Sequence, residues 1–296
     1  MIFWLFARFK KQKHSKDPLS LDTFTTAAAQ MTFLLLLAAA ALVNGVIGEV
    51  RWITNVDEFI QFKNNVNSGT NYSGTTVFLD SDLSFAGKAF EPIGYYYSWD
   101  NYNNFLGVFD GQGHVISDLN MTSSMQYVGL FGCSKVLTIK NVILDSSCSI
   151  TGTYKDSYSN SGYAYIGGFI GYCKASDGPC TIENSVNMGS VTFSGDTTKN
   201  SDYLFFGGIA GYLSSRDYDS IVKNCANYGD VTHSGKSRYS CIGGIIGHSY
   251  GYSLSNRVYI YNCLNHGTIT HKGTTANSLS LGEIEGCGYS TTIGTA

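Results

Sequence analysis
The chain predicts an all-β fold: a right-handed parallel β-helix, a solenoid of coils about 36–40 residues long behind a short N-terminal capping helix. Three observations carry this. A glycine-rich hexad recurs as YVGLFG (127–132), IGGFIG (166–171), FGGIAG (206–211), IGGIIG (242–247) and a worn LGEIEG (281–286), its last glycines 39, 40, 36 and 39 residues apart. A second element follows each of the first four hexads: TIKNVILDSSCSITG from Thr138, TIENSVNMGSVTFSG from Thr181, IVKNCANYGDVTHSG from Ile221 and YIYNCLNHGTITHKG from Tyr259. Inside that element the apolar period is two, the signature of a strand. Units that repeat in this way bury an apolar face only by stacking on one another.

Taken from the N-terminus, residues 1–48 read as an export segment. Arg8, Lys10, Lys11, Lys13 and Lys16 precede an uncharged run from Phe33 to Val43, and Gly45 and Gly48 follow, the layout of a signal peptide. Ala27 to Gly48 is also long enough for an uncleaved signal anchor. Met31 is an alternative start. In each case the basic side stays cytoplasmic and only this segment meets the membrane. Residues 49–296, the β-helix domain with an incomplete last coil, then face outward, secreted or at the cell surface.

Asn55 with Glu58 forms a capping-box pattern, and Val56, Phe59, Ile60, Lys63 and Val66 follow helical spacing. A short helix over about 55–66 is therefore expected to plug the N-terminal end of the core. Residues 77–94 and 105–121 read as opening coils. In each later coil the positions two before the anchor asparagine (Ile139, Ile182, Val222, Ile260) and two after it (Ile143, Val186, Ala226, Leu264) are expected to face inward. Lys140, Glu183, Lys223 and Tyr261 face outward, the first three as an alternating-sign ladder. The anchors Asn141, Asn184, Asn224 and Asn262 fall on the inward phase, where amide-to-amide hydrogen bonds up the stack satisfy them. Asn187-Met-Gly189, Asn227-Tyr-Gly229 and Asn265-His-Gly267 are turn signals with positive φ available at glycine, and Val/Ile-Thr strands follow. Three strands per coil are expected. At the far end STTIGTA stands where another asparagine strand is due, an open edge available for self-association.

FEPIG, FLGVFDGQGHVISDL, YVGLFG and the repeated IGGIIG…NCxNxGxI resemble the GLUG-motif repeats of secreted and cell-surface β-helix proteins, over about residues 56 to 286. The resemblance implies an adhesin-like stalk or recognition surface and brings no catalytic residue set. Glu283 and Glu285 depart from the pattern and put burial of the last copy in question.

Composition narrows the function. Hydrophobic residues make up 43% and charged ones only 14%, which excludes a disordered chain. Beyond residue 48 there are 14 basic against 20 acidic groups, the wrong sign for nucleic acid. All eight cysteines lie after the export segment, as expected of an oxidising compartment. Cys225 with Cys263 could bridge adjacent coils, and Cys173 with Cys180 could staple a loop. Asn71 and Asn120 head N-glycosylation sequons. His233 and His271 occupy equivalent positions but lack a third zinc ligand, so no metal and no cofactor is expected.

Asp80, Asp82, Asp110 and Asp118 near His114 are the residues a carbohydrate-active enzyme on this fold would use. Their scatter over separate turns favours a structural reading. The expected function is a non-enzymatic, adhesin-like module that binds glycans or surface proteins through a tyrosine-rich face, with Tyr95, Tyr96, Tyr97, Trp99 and Tyr102 as the candidate ligand surface. The alternatives are a polysaccharide lyase or glycoside hydrolase and, third, a structural spacer.

Overall fold
A computed structural model describes residues 48–98, 101–155, 162–198, 203–253 and 255–294. The expected export segment and Trp99 lie outside them, as does the side chain of Tyr97. Among the described residues no helix is long and apolar enough to cross a membrane.

From Glu49 onward the described residues are all-β with one helix. Its longest sheet takes one strand from each successive repeat: Val50–Ile53, Thr76–Leu79, Val108–Asp110, Leu137–Lys140, Cys180–Glu183, Ser220–Lys223, Val258–Tyr261 and Thr291–Gly294. Every neighbouring pair is parallel and in register, for example Ile139 with Ile182 and Ile182 with Val222. Four further parallel sheets collect the remaining segments of each repeat in the same way.

A full repeat holds five short strands rather than the three expected. In the best-formed layer these are Ala164–Gly167, Ile170–Lys174, Cys180–Glu183, Val186–Asn187 and Ser190–Phe193. The glycine-rich segment breaks at Gly167-Gly168, where its two halves pack so closely that a Cβ at Gly167 would overlap the carbonyl of Ile170. The second segment breaks at its asparagine. Asn141, Asn184, Asn224 and Asn262 have φ of 55°, 49°, 53° and 49°, the left-handed conformation that asparagine tolerates better than most residues.

That corner shifts the side-chain phase by one and corrects the inward assignment. Ile139, Ile182, Val222 and Ile260 are buried as expected, but Ile143, Val186 and Ala226 are only half-buried and Leu264 is exposed. The anchor asparagines sit outside: Asn184, Asn224 and Asn262 are exposed and Asn141 half-buried. Their ladder nonetheless forms. Asn184 Nδ2 donates to Asn141 Oδ1 at 3.3 Å, Asn224 to Asn184 at 2.9 Å and Asn262 to Asn224 at 3.2 Å.

The internal amide ladder is made by the next asparagine along. Asn187 Nδ2 donates to Asn227 Oδ1, and Asn227 Nδ2 to Asn265 Oδ1, each at 2.9 Å. Asn187 and Asn227 are buried, and each also donates to the carbonyl of the glycine two residues on. Those glycines, Gly189 and Gly229, are not at positive φ; a Cβ on Gly229 would overlap the Gly189 carbonyl of the layer below. Glycine is needed there for stacking distance. Outside, Thr122, Thr151, Thr192, Thr232 and Thr270 form a register-matched row.

The helix, α1, spans Val56–Asn67, with the Asn55 side chain accepting from Glu58 N–H. Glu58 reaches back to Thr54 rather than to Asn55. Its buried face is Phe59, Phe62 and Val66, whereas Val56, Ile60 and Lys63 are half-buried, a rotation from the expected stripe. Phe59 packs on Phe62, Phe85, Phe90 and Phe109 at centroid distances of 6.0, 5.3, 5.7 and 5.8 Å.

Cys173–Cys180 is a disulfide, as is Cys241–Cys287. The Cys225–Cys263 bridge is not present, and both thiols are free. They face inward on neighbouring layers; the Cys263 sulfur first, then burial, raise the Cys225 thiol above its ordinary range.

Candidate recognition surface
Two rows of aromatic side chains run across successive layers, and the residues bordering each glycine hexad supply them. One row is Tyr127, Tyr165 and Phe205, continued by Cys241; the other is Tyr172, Tyr212 and His248, continued by Cys287. The close approach of strands at the Gly-Gly break turns the two rows toward each other. Within the first row Tyr127 stacks on Tyr165 at 5.0 Å, and Tyr165 on Phe205 at 5.5 Å.

Between the rows each ring meets one in the next layer: Tyr127 with Tyr172 at 5.7 Å, Tyr165 with Tyr212 at 5.7 Å and Phe205 with His248 at 4.9 Å. The Cys241–Cys287 disulfide occupies the next such position. A covalent bond there replaces a ring contact worth about 0.5–1.5 kcal/mol. Tyr163, Tyr203 and Tyr239 form a flanking stack, with centroid distances of 6.0 and 4.6 Å.

The strip joins the expected ligand surface. Strands Tyr95–Ser98 and Asn101–Asn103 pair as an antiparallel hairpin, Tyr96 lies on Tyr102 at 4.7 Å, and Tyr96 meets Tyr127 edge-on at 5.8 Å. Tyr95 Oη donates to Asn67 O at 2.7 Å, tying the hairpin to the end of α1. At the other end Tyr250 contacts Tyr252 and Tyr289, both exposed.

Burial raises the Tyr127, Tyr165, Tyr172 and Tyr212 hydroxyls well above the ordinary phenol range, so each is a neutral hydrogen-bonding group on an apolar plate. Burial also lowers His248, whose Nδ1–H donates to Cys287 O at 2.8 Å. This partly covered set of rings suits apolar faces edged with hydroxyls, the surface a sugar ring presents. The sequence pattern held the signal: the residue before and after each hexad is aromatic in the middle copies. One obstacle hid it. Tyr127 pairs with Tyr165 and not with Ile166, because the first copy is one residue shorter between Val128 and Phe131 than the second is between Ile166 and Ile170.

The other candidate residues are scattered. Asp110 is nearly buried, paired with Lys140 Nζ at 3.3 Å and accepting from Asn141 Nδ2 at 2.9 Å. It extends the charge ladder, in which Lys223 meets Glu183 at 2.7 Å. The turn after Asp110 places its positive φ at Gln112 and Gly113. Asp118 accepts from Ser84 Oγ. Asp82 accepts from Val115 N–H and lies 3.1 Å from His114 Nδ1; the backbone bond first, then His114, hold its carboxyl below the usual range. No hydroxyl or thiol among the described residues is hydrogen-bonded to the remaining nitrogen of His114.

His233 and His271 approach to 2.7 Å between Nδ1 atoms. Burial and then His271 lower His233 to about 4, which makes it a neutral interior group, and no cluster of three metal-binding side chains occurs among the described residues. Asn71 and Asn120 are both exposed.

No family model and no curated protein matches the chain. Among solved structures it is similar to a Bacteroides ovatus crystal structure named putative immunoglobulin A1 protease, with a TM-score of 0.57 and 22% identity over 82% of this chain. The chain spans 63% of that protein's length. At this identity the likeness concerns the fold.

Proposed function
We propose that the stacked layers form a right-handed parallel β-helix of the GLUG-repeat type, exported from the cell, that binds glycans without cleaving them. The observation that carries this reading is the continuous aromatic strip from Tyr102 through Tyr127, Tyr165, Tyr172 and Tyr212 to Tyr250, which runs across successive layers. Two disulfides fit an oxidising compartment. The similar structure named as a protease is longer, and no hydroxyl or thiol among the described residues is hydrogen-bonded to the Asp82–His114 pair through its imidazole.

A glycan array probed with the full chain tests the proposal. Selective retention that is lost in Tyr172→Ala with Tyr212→Ala is expected. Retention of protein but not glycan ligands would move the function to surface-protein adhesion. Turnover of a bound oligosaccharide abolished by Asp82→Asn would establish the enzyme, and silence on every glycan would leave a spacer.

A further inference from the structure
Beside the aromatic strip, two lysines stand in one column on consecutive layers. Lys135 and Lys174 directly follow Ser134 and Cys173, which pair on consecutive layers. Both are half-buried, and neither has a carboxylate within ion-pair distance among the described residues. Lys135 Nζ sits 4.1 Å above the Tyr102 ring. Arg216, one layer on, is exposed and reaches only its own neighbour Asp217, at 3.7 Å.

Like charges held this close without an intervening acid repel one another. Burial first, then Arg216 and Lys135, lower Lys174, while Asp217 and Asp177 act in the opposite direction. Asp177 accepts from Ser176 Oγ, and both Asp177 and Asp217 are exposed and form no ion pair with either lysine among the described residues. Next to the column lie Tyr172 and Tyr212, 5.3 Å apart between ring centroids.

Resting on the glycan-binding reading above, we infer that Lys135 and Lys174 with the Tyr102, Tyr172 and Tyr212 rings form a subsite for a carboxylate-bearing sugar. The rings take the C–H face of the sugar and the two ammonium groups bracket its carboxylate. An anion relieves the repulsion between the lysines, and an uncharged sugar does not. Charge-assisted hydrogen bonds to a carboxylate are about twice as strong as neutral ones.

The test is calorimetric titration of the full chain with an oligosaccharide of uronic acids, the same oligosaccharide as its neutral methyl ester, and a sulfated oligosaccharide of equal length. The acid is expected to bind at least about tenfold tighter than the ester, with the difference shrinking as salt rises. Lys135→Gln and Lys174→Gln should each remove about tenfold from the acid and leave the ester unchanged. Lys174→Arg should retain the preference, and unchanged melting temperatures confirm folded variants.

Equal affinity for acid and ester, or lysine variants that keep the preference, overturns the anion subsite while ester binding that depends on Tyr172 preserves the glycan reading. Binding of the sulfated probe alone overturns the carboxylate assignment. Stronger uptake by anionic lipid vesicles than by any sugar overturns it in favour of a membrane surface. No binding to any of these probes overturns the subsite, while selective retention of other sugars on the glycan array preserves the glycan reading.

Discussion

The two ends of the stack are built on opposite principles. At the N-terminal end α1 drives Phe59 and Phe62 into a cluster with Phe85, Phe90, Phe105 and Phe109, all buried. In the last described layer the interior columns are more open: Leu281, in register with buried Ile242, is 50% exposed, and Ile293, beside buried Ile260, is 54% exposed. Glu285 stands where Ile246 stands one layer earlier. A repeat fold is stabilised layer by layer through its neighbours, so a layer with only one neighbour is held by half as many contacts. Among the described residues the layers under α1 are therefore the better packed, and the layer of Leu281 and Ile293 the less well packed.

The largest expected effect separates the two ends directly. Phe59→Ala removes a fully buried ring that touches four others and should cost about 3–5 kcal/mol. Leu281→Ala, at an equivalent interior column but half exposed, should cost under about 1 kcal/mol. Denaturant midpoints of the two variants measure the contrast. Equal losses would show that the last layer is as well packed as the first.

Glu285 sharpens the comparison through pH. Burial raises its carboxyl from 4.5 to about 6, partly offset by hydrogen bonds from Ser249 and Thr291. With the folded value above the unfolded one, the folded protein binds more protons between about pH 4.5 and 6. Stability is therefore greatest below the unfolded value and falls as pH rises through the folded value. The loss above that window is roughly 2 kcal/mol. Glu285→Ile, which restores the apolar column, should recover about that much at neutral pH and nothing near pH 4. Unfolding midpoints at both pH values test this, and a wild-type midpoint independent of pH would show Glu285 to be solvated.

How much of this was legible in the sequence depended on how far the strand period could be carried. It reaches correctly from Ile139 to Lys140 and fails beyond Asn141, because a left-handed residue resets which side faces in. Nothing in the alternation itself reports that reset. Its trace is chemical: asparagine recurs at the corner because it tolerates positive φ, and a second asparagine recurs three residues later because the interior needs its amide. Reading the first as internal and the second as a turn exchanged two roles that share one residue type. The parallel pairing, the α1 cap and the Cys173–Cys180 staple were legible because each rests on spacing alone. The aromatic strip was missed because its residues border the repeat and vary between tyrosine, phenylalanine, histidine and cysteine.

The outer asparagine ladder offers the smallest and most discriminating effect, since it runs from the better packed layers toward the less well packed ones. Its first member, Asn141, donates to the nearly buried carboxylate of Asp110, a charge-assisted bond, while Asn262 Nδ2 donates to the neutral amide of Asn224. Glycine accepts the left-handed backbone without strain, so Asn→Gly isolates the side-chain bonds from the corner geometry. Asn141→Gly should cost about 1–2 kcal/mol and Asn262→Gly only a few tenths. Alanine at either site should cost roughly 1 kcal/mol more than glycine, because it cannot adopt the corner freely. Equal losses for the two glycine variants would mean that Asp110 contributes nothing to the ladder, and that the two ends differ only in packing.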